Sequence, residues 1–191
     1  MSNRRISTEK MTLGAVLTAL VIILQFAGAF IRLGQFQVSL VLIPIVIGAA
    51  TCGIGISAWL GFVFGAIVLL NGDAAFFLGI NPFGTVVTVL LKGILAGLIT
   101  AVCYKLLSKV NNTLAVFVSA AVCPIVNTGV FVLGCLVFFM PSIKEWAVSE
   151  GVNAFKYIFA FLIGGNFIFE FITNMILSPV LVRLLSLRKK A

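Results

Sequence analysis

Two ionisable residues stand where an apolar chain tolerates them least: Lys92 interrupts the run from Phe83 to Tyr104, and Glu170 the run from Tyr157 to Leu185. Counted from Phe83, Lys92 lies about 13–14 Å deep at roughly 1.5 Å per helical residue. Glu170 falls near the middle of its run. A charge that deep in hydrocarbon costs at least about 2.5–3.5 kcal/mol, so it faces a bundle interior and finds a partner there. One use is recognition of a polar solute, with Lys92 taking a carboxylate or phosphate and Glu170 a donor group. Another is a buried ion pair that fixes the two helices. A proton relay through Glu170 is a third, for which the sequence supplies no neighbouring carboxylate or histidine.

Spacing extends both positions. Asn166, Glu170, Asn174 and Ser178 recur every four residues with Thr173 beside them, which draws one polar stripe along a helix. Thr85, Thr88 and Lys92 draw a second. Asn127 and Thr128 follow Pro124, whose missing N–H frees a carbonyl in that helix. A single amide in a membrane helix is accounted for by a hydrogen bond to its neighbour. Three polar faces on three helices predict a shared polar cavity.

What the composition excludes narrows the chemistry. The chain has no histidine, which removes the commonest general base, the Ser-His-Asp and Cys-His triads and most zinc sites. Its acids are Glu9, Asp73, Glu145, Glu150 and Glu170, a poor stock for a di-carboxylate metal centre. No G-x-x-x-x-G-K-[ST] motif occurs, so ATP-driven work requires a partner. A non-catalytic protein without cofactor or metal is expected. Cys52, Cys103, Cys123 and Cys135 show no C-x-x-C spacing and read as small apolar residues.

The elements that position these residues are set by the solvent. With 62% apolar and 9% charged residues among 191, against roughly 45–50% and 25% in soluble domains, this chain requires a bilayer. Six spans are expected in one membrane-embedded domain, an all-α architecture: about Met11–Ile31, Val38–Cys52, Ile56–Leu70, Phe83–Tyr104, Leu114–Met140 and Tyr157–Leu185. The first is too long for a cleavable signal and has no A-x-A site. With both termini cytoplasmic, Arg4, Arg5, Lys10, Lys105, Lys109, Arg183, Arg188, Lys189 and Lys190 lie inside, and Arg32, Lys144 and Lys156 outside. That asymmetry follows the positive-inside rule. The net charge of +8 is therefore spread between spans, and no single patch for nucleic acid is formed.

The outer connections are Arg32 to Gln37, Asn71 to Pro82 and Pro141 to Lys156, rich in aromatic, amide and charged groups. They read as a binding mouth or as interfacial anchors. Ala15 and Ala19 form a small-x-x-x-small pattern beside Gly14, which lets another helix approach. Gly61 and Gly65, and Gly93 and Gly97, repeat that spacing for internal packing. Six polar-lined spans also suit a stand-alone facilitator or channel for a small polar solute, although no inverted repeat is evident.

Six helices, cytoplasmic termini, the Ala15/Ala19 pattern and a stretch reading SLVLIPIVIGAATCGIGISAWLGFVFG together resemble the substrate-binding S component of energy-coupling factor (ECF) transporters, the bacterial vitamin importers. The IPIVIGA stretch with its Gly-rich turn, and the NPFGT and NTG segments, add to the likeness, which covers nearly the whole chain. The resemblance implies a plasma-membrane protein that binds a water-soluble vitamin near the outer face. The pocket would lie among helices four to six, under the loops after helices one, three and five. It implies docking through helix one onto a coupling transmembrane subunit bearing two ABC ATPases, and toppling in the bilayer to release substrate inward. On that likeness Ala15 and Ala19 face the coupling subunit. Arg32, Gln35, Phe36 and the segment Asn71 to Asn81 gate the pocket, and Lys92, Thr88, Asn127, Asn166, Glu170 and Asn174 fall on the pocket helices. Lys92 resembles the basic residue of pantothenate-type members, and Glu170 departs from that pattern. Riboflavin-type members carry a lysine in the sixth span, which is absent here; a cobalamin-like or precursor substrate stays open.

Overall fold

The computed structural model describes residues 7–28, 32–33, 36–37 and 40–188. Helix α1 (Thr8–Gly28) begins where the Ser7 hydroxyl accepts from the Lys10 amide at 3.4 Å, with Glu9 in the positive first turn. A short antiparallel pairing of Arg32–Leu33 (β1) with Phe36–Gln37 (β2) follows. Helix α2 (Leu42–Thr51) carries Pro44 in its first turn, where a missing N–H costs little. The chain reverses at Gly53, whose φ of 94° suits glycine alone, into α3 (Ile54–Leu70).

A single turn, α4 (Ala75–Leu78), precedes α5 (Pro82–Leu107). Asn81 caps α5 by accepting from the Gly84 amide at 2.9 Å, with Pro82 at the first helical position. Asn111 likewise caps α6 (Asn112–Gly134), which runs through Pro124. A π-helical segment, Cys135–Phe139, joins α6 to α7 (Met140–Ser149). After α8 (Ala154–Tyr157), a second π-helical segment, Ile158–Ile163, leads into α9 (Gly164–Arg188).

Four of these stretches are long and apolar enough to cross a membrane: Thr8–Gly28, Pro82–Leu107, Asn112–Ser149 and Ala154–Arg183. The second and third spans expected from sequence appear as the shorter helices Leu42–Thr51 and Ile54–Leu70. At 1.5 Å per residue these reach only about 15 and 26 Å, against a hydrocarbon core of about 30 Å. Helix α2 can be short because protein surrounds it: α1, α3, α5, α6 and α9 all pack on it, burying Leu42, Ile45 and Val46.

The tightest seam lies between α3 and α5. A Cβ on Gly61 would overlap the Gly93 carbonyl, and one on Gly97 the Ser57 carbonyl, so the small residues bring the two backbones together. The buried Ser57 hydroxyl donates to the Gly97 carbonyl at 2.8 Å and to the Ile45 carbonyl at 3.2 Å, tying α2, α3 and α5.

Helix α9 has two opposite faces. Glu170, Asn174 and Ser178 are buried, whereas Ile168, Ile172, Ile176 and Val180 are exposed at 57%, 50%, 67% and 52%. A two-residue offset is about half a helical turn, so polar groups face protein and branched aliphatics face outward, the reverse of a water-soluble helix.

Candidate functional site

A cavity of about 360 Å³ opens among α3, α4, α5, α6 and α9, within the range of small-molecule sites. Helix α5 supplies Lys92, α6 supplies Asn127 and Thr128, and α9 supplies Asn166 and Glu170. The three polar faces expected from sequence thus meet in one space. Apolar walls come from Phe64 and Val68 of α3, Phe76 and Phe77 of α4, Phe131 of α6, and Leu162, Ile163 and Phe167.

The two deep charges face one cavity and attract each other across it. The Lys92 ammonium lies 5.4 Å from the ring centre of Phe64 and 5.5 Å from that of Phe131, inside cation–π range. Glu170 is 1% exposed, and its Oε1 accepts from Asn166 Nδ2 at 3.2 Å. Asn127 of α6 also interacts with this carboxylate, whose Oε2 makes no closer hydrogen bond. The two residues therefore share a cavity without a hydrogen bond between them. The Glu170 backbone carbonyl accepts from Asn174 Nδ2 at 2.8 Å, and the Asn174 carbonyl from Ser178 Oγ at 2.8 Å. These local bonds stiffen the stripe that presents the carboxylate.

A third charge, Asp73, sits in the wall where α3 gives way to α4. Its carboxylate accepts from Gln25 Nε2 of α1 at 2.6 Å and from Asn71 Nδ2 at 2.7 Å. Gln25 is buried, so α1 reaches the cavity wall through one side chain. Aromatic rings cover the same end. Phe76 meets Trp146 of α7 at 5.0 Å, Trp146 meets Tyr157 of α8 at 6.1 Å, and Phe77 meets Phe131 at 5.7 Å and Phe139 at 5.0 Å.

Other residues singled out from the sequence lie elsewhere. Thr88 is buried where α5 meets Gly134, whose absent side chain makes room for it. Asn174 serves its own helix, and Asn81 caps α5. Arg32 and Phe36 belong to the β1–β2 pairing, and Gln35 lies outside the described residues. Ala15 and Ala19 are exposed on α1, while Gly14 beside them packs on Ile56. Sequence reasoning missed Phe64, Phe131 and Gln25, whereas Asp73, Phe76 and Phe77 lie in the Asn71 to Asn81 segment that the resemblance made a gate. It also left α3 out of the cavity wall, because a phenylalanine in an apolar run carries no contrast.

A family model described as "ECF transporter, substrate-specific component" matches residues 9–185. No curated protein and no solved structure gives a match.

Proposed function

Because the chain belongs to the substrate-specific components of ECF transporters, we propose that it captures a water-soluble vitamin or related micronutrient outside the cell and hands it to a coupling transmembrane subunit driven by two ABC ATPases. The observation that carries this reading is the cavity itself: a small-molecule-sized space inside an apolar bundle, furnished with Lys92, Asn127, Asn166 and Glu170. Polar groups that deep are held for a ligand, since packing alone is served more cheaply by apolar residues. The chain supplies binding, and its partners hydrolyse ATP.

Orientation follows from charge. The nine basic residues Arg4, Arg5, Lys10, Lys105, Lys109, Arg183, Arg188, Lys189 and Lys190, against Arg32, Lys144 and Lys156, support an orientation with both termini on the cytoplasmic side of a bacterial plasma membrane. The end built from α4, α7 and α8 then faces out, with the aromatic cover over the cavity. Helix α1, with Ala15 and Ala19 exposed, is the face offered to the coupling subunit.

A ligand with an acidic group suits Lys92, and pantothenate is one vitamin that meets this requirement. The test is co-expression with a coupling subunit and its ATPases. The tagged chain is expected to co-purify with them, and the complex to import substrate into liposomes only with ATP inside. ATP-independent uptake by the chain alone would make it a facilitator and overturn the assignment.

A further inference from the structure

The buried face of α1 is Gly14, Leu17, Val21, Gln25 and Gly28, spaced three or four residues apart. This helix packs chiefly on α2 and α3, and Gln25 is the polar side chain on that face. It is 5% exposed, its Nε2 donates to Asp73 Oδ2 at 2.6 Å, and its Oε1 is buried with no hydrogen-bond partner. A leucine or methionine would fill the same place without leaving an acceptor unmet. Packing alone therefore does not call for an amide here, whereas a donor to Asp73 does.

Asp73 stands at the start of a wall. Gly72, at a φ of 87°, turns the chain away from the end of α3. Asn71 Nδ2 donates to the same Asp73 oxygen at 2.7 Å, and the Asp73 amide donates to Asn71 Oδ1 at 3.1 Å. The Ala75 amide then donates to the Gly72 carbonyl at 3.0 Å, opening α4. Gly72, Asp73, Ala74, Phe76 and Phe77 all line the cavity, and among the described residues no α1 side chain does. Asp73 has further interactions besides these, and the Gln25 bond ties it to α1.

Resting on the reading of this cavity as the substrate site and of α1 as the docking helix, we infer that Gln25 is a positioning residue. Acting through Asp73, it holds segment 72–77 against the cavity and carries a displacement of α1 to that wall. Its bond to a carboxylate is charge-assisted and shielded from water, which strengthens it. The coupling is reciprocal: a partner that moves α1 shifts the wall, and whatever braces the wall alters the affinity of α1 for that partner.

The test is hydrogen exchange, read by mass spectrometry, on the full-length protein in nanodiscs. Wild type, Gln25→Met and Gln25→Lys are compared alone and with the coupling subunit and its ATPases bound. Methionine keeps the length of the side chain and removes the donor, and lysine puts a donor back. In the undocked chain Gln25→Met is expected to raise exchange across 71–81 by about tenfold, as the loss of one charge-assisted bond from a local opening, with α5 and α6 unchanged. Gln25→Lys is expected to return that segment toward the wild-type rate. A packing role predicts the reverse order, because methionine suits an apolar face better than lysine. Docking is expected to change exchange of 71–81 in wild type and to leave it unmoved in Gln25→Met. The inference is overturned by no rise in Gln25→Met, by a rise shared with α5 and α6, by faster exchange in Gln25→Lys than in Gln25→Met, by no docking response in wild type, or by an undiminished one in Gln25→Met. If Gln25→Lys does not fold, Gln25→Met alone and docked decides. A chain that never docks overturns the reading of α1 as the docking helix, and the undocked variants still decide whether Gln25 holds the wall.

Discussion

Lys92 is the residue on which ligand charge and scaffold can be separated. Replacing it with methionine keeps most of the apolar stem between Phe64 and Phe131 and removes the ammonium. Loss of a charged hydrogen bond of about 1.5–3 kcal/mol is expected to weaken a carboxylate ligand by roughly ten- to more than a hundredfold, read by titration calorimetry. Unchanged affinity would assign Lys92 to the scaffold. At this scale the sequence was legible where a residue contrasts with its surroundings: Lys92, Asn127, Asn166 and Glu170 stand out in apolar runs, and all four reach the cavity. Polarity alone did not separate cavity-lining groups from those placed elsewhere. Thr88, Asn174 and Asn81 are polar too, yet their surroundings are Gly134, the Glu170 carbonyl and the Gly84 amide.

Elements set how rigidly those residues are held. The α3–α5 seam leaves no room at Gly93, where a Cβ would overlap the Gly61 carbonyl. Gly93→Val is therefore expected to destabilise the protein by at least about 1–3 kcal/mol, the usual cost of overpacking. Gly129→Ala, at a position with nothing within 4 Å, is the matched control in the same denaturation series. Equal melting of the two variants would refute the close seam. The cover over the cavity makes a kinetic prediction. Trp146 bridges Phe76 and Tyr157, so Trp146→Ala is expected to speed ligand release more than it slows capture, as measured by stopped-flow displacement. The glycine spacing that makes the seam was readable, as were the approximate helix ranges. The π-helical segments Cys135–Phe139 and Ile158–Ile163 were not, because a widened turn leaves no pattern in apolar side chains.

The proposed function gives the whole molecule two working faces, a cavity and a helix. Ala15→Trp with Ala19→Trp places bulk on the exposed face of α1; the pair is expected to abolish co-purification with the coupling subunit while ligand occupancy stays at the wild-type level. Loss of both would show that α1 holds the cavity together and is not a docking surface. Fold class was legible because composition dictates the solvent, and the family through the resemblance of the Ala15/Ala19 pattern and the IPIVIGA, NPFGT and NTG segments to its members, with which the family match over residues 9–185 agrees. The lengths of the second and third helices were less legible, because an apolar run does not reveal whether lipid or protein will surround it, and α2 is packed by five other helices. The two-faced α9 carries a consequence for biosynthesis. Alone in a bilayer, its stripe of Asn166, Glu170, Asn174 and Ser178 would meet hydrocarbon on every side, a state that intramembrane charges make costly. In the chain, however, α9 leaves the ribosome after α5 and α6, so Lys92 and Asn127 are already in the membrane when Glu170 arrives. The order of translation thus works as a chaperone: the last helix inserts against a polar surface its predecessors have prepared.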